Sequence, residues 1–100
     1  MNDIDKILEE RGRNYGSYKD VSYCSQRLKS LLREMPSWDK LSNCQRESLD
    51  MICNKISRIV NGNPTYMDSW TDISGYATLV TDQQKGDAIA EGDTNAFNIN

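Results

Sequence analysis

The chain has 100 residues, 37% of them hydrophobic and 27% charged, a net charge of -3 and no histidine. This is the composition of one small globular domain, and no apolar stretch approaches the ~18 residues of a membrane span. The missing histidine excludes Ser-His-Asp, Cys-His and histidine-metal chemistries, because it removes the usual neutral-pH base and zinc ligand.

Charge is unevenly distributed. Residues 86–100 hold Asp87, Glu91 and Asp93 and no base, which leaves residues 1–85 with 12 bases against 12 acids. Within that neutral body, residues 11–33 carry six bases against Asp20 alone, a local +5 that fits a solvated helix face with partners elsewhere in the fold or an anion-binding surface. An acidic chain without a basic domain footprint disfavours duplex nucleic acid as a partner. The polar start Met1-Asn2-Asp3 does not read as a signal peptide, so a cytoplasmic protein is expected. Cys24, Cys44 and Cys53 fit neither a zinc ribbon nor a C-x-x-C pair and read as reduced core or half-core residues.

In chain order, Asp3 caps a short helix through Ile4, Ile7 and Leu8, with Gly12 placed to end it. Residues 13–18 have turn chemistry and read as a loop bearing Tyr15 and Tyr18. From about Tyr18 to Met35 the apolar residues step by three and four until Pro36, predicting an amphipathic second helix. Ser42 and Gln45 form a capping box ahead of Leu49, Ile52, Ile56, Ile59 and Val60, and Gly62 with Pro64 closes this third helix. A fourth starts near Thr65 to Asp68, buries Trp70, Ile73, Ala77 and Val80, and breaks at Gly86. The expected fold is therefore all-α, a small antiparallel bundle of about four helices over residues 1–85. Residues 86–100 read as a flexible acidic tail with Phe97 and Ile99 as docking points. So small a core favours a homo-oligomer joined through apolar positions on helices two to four.

Two acidic pairs are candidates for chemistry. Glu47 and Asp50 are three apart on the third helix, Asp68 and Asp72 four apart on the fourth, and a short connection makes these helices neighbours. Convergence of the four would suit a hard cation such as magnesium, while acids in first helical turns also serve as caps and surface charges. Lys55 and Arg58 follow Asp50 in a stripe that suits a phosphate-bearing ligand or pairing within the helix. Tyr76 continues the Asp68–Asp72 side, where a phenol can stack on a base. Arg11 and Arg13 flank the expected loop with Tyr15 and Tyr18, where exposed N–H groups can meet an anion.

Three runs, I-L-E-E-R-G-R-N-Y-G-S-Y (7–18), L-D-M-I-C-N-K-I-S-R-I-V-N-G-N-P (49–64) and D-S-W-T-D-I-S-G-Y-A-T-L-V (68–80), resemble a family of small helical tailed-bacteriophage and prophage proteins of unknown function. More distantly, D-x-x-x-x-K-x-x-R followed by D-x-x-x-D-x-x-x-Y is similar to phage domains associated with nucleotide modification and to the all-α nucleoside-triphosphate pyrophosphatases. That likeness implies Glu47, Asp50, Asp68 and Asp72 as magnesium ligands and Lys55 and Arg58 as phosphate contacts. The denser E-E-x-x-E set of those enzymes is interrupted here by Asn43 and Arg46. Binding of a nucleotide or nucleotide-derived ligand, in a phage the sequestration of a host defence signal, therefore ranks ahead of magnesium-dependent pyrophosphohydrolysis. The third reading is an inhibitor that covers a host protein by surface contact.

Overall fold

A computed structural model describes residues 2–92, and among these residues the chain is helical with no strand. Four helices follow one another, α1 (Asp3–Tyr15), α2 (Tyr18–Arg33), α3 (Asn43–Asn61) and α4 (Met67–Ala90), with a single 3-10 turn at Trp38–Lys40 between α2 and α3. No described helix is long and apolar enough to cross a membrane.

The caps show why each helix begins where it does. Asn2, rather than the expected Asp3, accepts a hydrogen bond from the Asp5 amide at 2.8 Å and starts α1. Ser17 caps α2 through the Asp20 amide, and Ser42 with Gln45 makes the reciprocal capping box expected for α3. Helix ends depart further from expectation. Gly12 sits inside α1, which runs on to Tyr15, so the supposed loop shrinks to the two residues Gly16 and Ser17. Gly86 likewise lies inside α4, where Gln83 donates to Asp87 across it at 3.0 Å. A glycine costs a helix only about 1 kcal/mol relative to alanine, which flanking residues that continue the helix offset. Residues 86–90 are thus helical, while the expected docking residues Phe97 and Ile99 lie outside the described residues.

Gly16 ends α1 for a tertiary reason. Its φ of 87° and ψ of 177° belong to backbone space that side chains rarely enter. A Cβ there would collide with the Asn61 carbonyl, and one on Gly62 would collide with the backbone of Asn14 and Tyr15. The α1–α2 corner and the α3–α4 corner therefore meet backbone against backbone, joined by the Asn63 amide donating to the Asn14 carbonyl at 2.9 Å.

Helix α3 is the centre of the molecule, packing on α2 on one side and on α4 on the other. Both neighbours run antiparallel to it. The end of α2 meets the first half of α3 through Arg33 and Asp50, and Gln45 at the start of α3 reaches Gln84 late in α4. Small residues permit the close approach, since Ser25, Ser48, Ser57 and Ser69 are all buried between helices. Buried hydrophobic residues are only Val21, Cys53 and Ile59 among those described. The Cα radius of gyration is 17.0 Å, against about 13 Å for a compact domain of this length. Several residues expected in the core, including Leu31, Met35, Ile56, Val60 and Trp70, are exposed, because a layer of three helices has two faces and α1 lies against only one of them. All three cysteines are free; Cys53 is buried and Cys24 half-buried, but Cys44 is exposed in the first turn of α3 rather than in the core. Burial, assisted by the nearby Asp50 charge, pushes the Cys53 thiol above its ordinary value, which keeps it protonated.

The glycines give a paired prediction for urea unfolding. Gly16→Ala should lose more than about 2 kcal/mol through strain and collision. Gly75→Ala and Gly86→Ala, where an added Cβ meets nothing, should each gain roughly 0.5–1 kcal/mol.

Candidate functional site

The meeting of the two corners builds a cavity of about 220 Å³ on the side of α3 that faces α1. Leu8, Arg11, Gly12 and Tyr15 supply the α1 wall. Tyr18 and Val21 come from the start of α2, Asn54 and Arg58 from α3, and Gly16 from the linking corner. Asn54 and Arg58 are one turn apart on the polar side of α3, so the helical period that buries Cys53 and Ile59 elsewhere aims both at this wall.

Tyr15 organises the cavity. The Arg58 guanidinium lies 4.6 Å and the Arg11 guanidinium 5.3 Å from the centre of its ring, both within cation–π distance. The Tyr66 ring meets it edge-on with centroids 5.4 Å apart, and the Tyr15 hydroxyl donates to Asp68 Oδ2 at 3.3 Å. Burial, reinforced by Tyr66 and Asp68, raises the Tyr15 pKa above the ordinary 10.0, so the phenol is neutral and a donor at physiological pH. Neither Arg11 nor Arg58 has a carboxylate within ion-pair distance among the described residues, where the ion-paired bases are Arg13, Arg33 and Lys55. Two cations flank one ring beside the start of α2, whose amide dipoles also favour negative charge. Chemically, two guanidiniums beside a tyrosine ring are groups that can receive an anion.

Four of the seven residues expected to bind ligand, Arg11, Tyr15, Tyr18 and Arg58, are brought together here. The others lie apart. Arg13 is exposed and pairs with Glu9 at 3.6 Å on its own helix. Lys55 is buried against α4, where its Nζ meets Asp72 Oδ2 at 3.0 Å. Tyr76 and Asp72 line a shallow open depression along α4 with Gly75 and Leu79. Of the lining residues, Leu8 and Val21 carried no sequence signal for ligand contact, and Tyr66, which packs on Tyr15, was not singled out at all. Its place follows from the Gly62–Pro64 turn, which no helical period marks.

The four acids expected to hold magnesium have separate surroundings. Asp50 pairs with Arg33 at 3.0 Å, Asp72 with Lys55, and Asp68 accepts from Tyr15, while Glu47 is exposed and makes no ion pair among the described residues. No group of three or more potential metal-ligating side chains occurs among the described residues. The donor set does not fit a carboxylate-rich magnesium site in this arrangement, since two of its members are already neutralised by bases. Asp50 retains one feature of interest, a buried Oδ1 without a hydrogen-bond partner.

No protein-family model, curated protein or solved structure matches this chain, so the case for function rests on the side chains themselves.

The raised Tyr15 pKa sets a pH dependence. Because the folded state holds this proton more tightly than the unfolded chain, the associated stability is fully present below pH 10.0 and disappears as pH rises through the higher folded value. Urea titrations at increasing alkaline pH should show this loss, and Tyr15→Phe should remove that component of the slope.

Proposed function

We propose that this protein, as a self-associating phage protein, binds a nucleotide or nucleotide-derived ligand, with phosphate seated between Arg11 and Arg58. The observation that carries the reading is the pair of guanidiniums without carboxylate partners around Tyr15. An arginine can grip phosphate oxygens with two parallel hydrogen bonds, and a phosphate between two such groups relieves their mutual repulsion. Tyr18 offers an exposed ring at the mouth on which a base can stack. At about 220 Å³ the cavity takes the phosphorylated end of such a ligand, leaving the remainder along the mouth.

Binding is favoured over hydrolysis by the same geometry, because the carboxylates that hydrolysis would recruit are engaged by Arg33, Lys55 and Tyr15. The phage resemblance supplies the biological setting, in which a protein that holds a nucleotide signal without consuming it removes that signal from host defence. An inhibitor acting through protein contact would have no need of two unpaired arginines in a cavity.

Calorimetry against nucleoside triphosphates and cyclic dinucleotides tests the reading. Arg58→Ala and Arg11→Ala should each weaken binding roughly ten- to a hundredfold, the value of a lost charge-assisted hydrogen bond, whereas Arg13→Ala should leave it unchanged. Gly12→Leu places a side chain in open cavity space without a backbone clash, so it should abolish binding while the melting temperature holds. Magnesium-dependent release of pyrophosphate, lost in Asp72→Asn, would replace sequestration by hydrolysis. No response to any of these ligands would leave the host-protein inhibitor as the better account.

A further inference from the structure

We infer that the face of the α2–α3–α4 layer opposite the cavity is the surface on which a second copy of this chain docks, with α3 of one copy against α3 of the other. This rests on the self-association proposed above and assigns it a surface and a symmetry.

The face follows from helical geometry. On α3, Asn54 and Arg58 line the cavity and Lys55 meets Asp72 of α4, so at 100° per residue the buried Ser48 and Ile59 share the Lys55 side and the buried Cys53 and Ser57 lie on the other. At 100° per residue, Leu49, Ile52, Ile56 and Val60 form the remaining stripe, directed away from α1. The flanking helices present apolar residues on the same side. On α2, Cys24, Leu28 and Leu31 share a groove with Val60. On α4, Asp68 and Asp72 lie toward Tyr15 and Lys55, so Trp70 and Ala77 fall on the opposite side. Exposure bears this out: Leu31 is 52%, Met35 47%, Ile56 38%, Val60 65% and Trp70 52% accessible. These are the regular apolar steps of three successive helices, and a chain that folded alone would bury them.

A second copy is the occupant that the numbers favour. With only Val21, Cys53 and Ile59 buried among its hydrophobic residues, the single chain has too little core to persist while it waits for a foreign partner. Whatever covers the face must therefore be present whenever the chain is made, in equal amount, and a copy of itself meets that condition. Three helices about 9 Å apart and the length of 19-residue α3 define a face of about 750 Å² per copy, or about 1,500 Å² for a pair, inside the range of stable interfaces. The α3 stripe contains no charge, so it meets itself without repulsion, and its central position places the two-fold axis across α3 near Ile52 and Ile56. The cavity, on the other side of the layer, stays open in the pair.

Sedimentation equilibrium of the full chain should give twice the 11.4 kDa mass. Ile56→Glu should give monomer with a lowered melting temperature, and Leu79→Glu, exposed on another side of α4, should remain dimeric. A wild-type monomer at every concentration would overturn self-association itself. A dimer that survives Ile56→Glu would overturn this face while leaving self-association intact, with α1 or the segment beyond residue 92 then as the contact. If Ile56→Glu does not fold, acrylamide quenching of Trp70 in a Trp38→Phe background decides. Trp70 should be shielded in the associated protein and should become accessible on dilution to monomer. A Trp70 equally accessible in both states would refute the face.

Discussion

The contact between the Gly16 and Gly62 corners is the constraint on which the remaining structure depends. Two chain reversals, 46 residues apart in sequence, approach so closely that neither can carry a Cβ, and one amide-to-carbonyl hydrogen bond fastens them. Because α1 ends against the point where α3 ends, Tyr15 is carried onto Arg58 and Tyr66, and Arg11 follows one turn behind. The cavity results from this backbone packing. Its lining mixes Leu8, Val21 and two tyrosines with Arg11, Asn54 and Arg58.

The layer built around α3 divides the molecule into two chemically different sides. Toward α1 lie Arg58, Tyr18 and the ion pairs of Asp50 and Asp72, facing Arg11 and Tyr15 of α1 itself. Away from α1 lie aliphatic side chains and Trp70 with little covering them. Serines at the helix contacts allow close approach but contribute little hydrophobic stabilisation, and the buried Lys55 is held only by its pairing with a half-exposed Asp72. The interior of one chain is thus unusually polar, and most of the apolar surface available to stabilise the fold lies outside it. The proposed ligand side and the proposed association side lie back to back on one thin layer, in a molecule of 58 × 27 × 23 Å.

The number and order of helices could be read from the sequence because the signals are local. Ser42 and Gln45 must form their capping box wherever α3 goes, and the Leu49 to Val60 stripe has one period. The errors at Gly12 and Gly86 share a cause. A glycine stops a helix when the chain must enter left-handed or sterically closed space beyond it, and that requirement at Gly16 comes from Asn61, which sequence spacing cannot reveal. The candidate site was legible as residue types and not as a grouping. Arginines beside tyrosines at 11–18 marked candidates by residue type alone, but which of them share a wall with Arg58 depends on α1 continuing to Tyr15. Lys55 and Asp72, expected in different roles, satisfy each other across the α3–α4 contact. The apolar stripes identified the surfaces that need covering and were silent on whether the same chain covers them.

The central claim, that Arg11 and Arg58 form one phosphate-binding site, is tested most directly by NMR of the arginine side-chain Nε–H groups during titration with a nucleoside triphosphate. Arg11 and Arg58 should shift together, saturably and with a common dissociation constant, while Arg13, paired with Glu9 outside the cavity, stays in place. Small, unsaturable shifts spread over all the arginines would contradict the claim, because they are what diffuse attraction to a basic segment produces without a site.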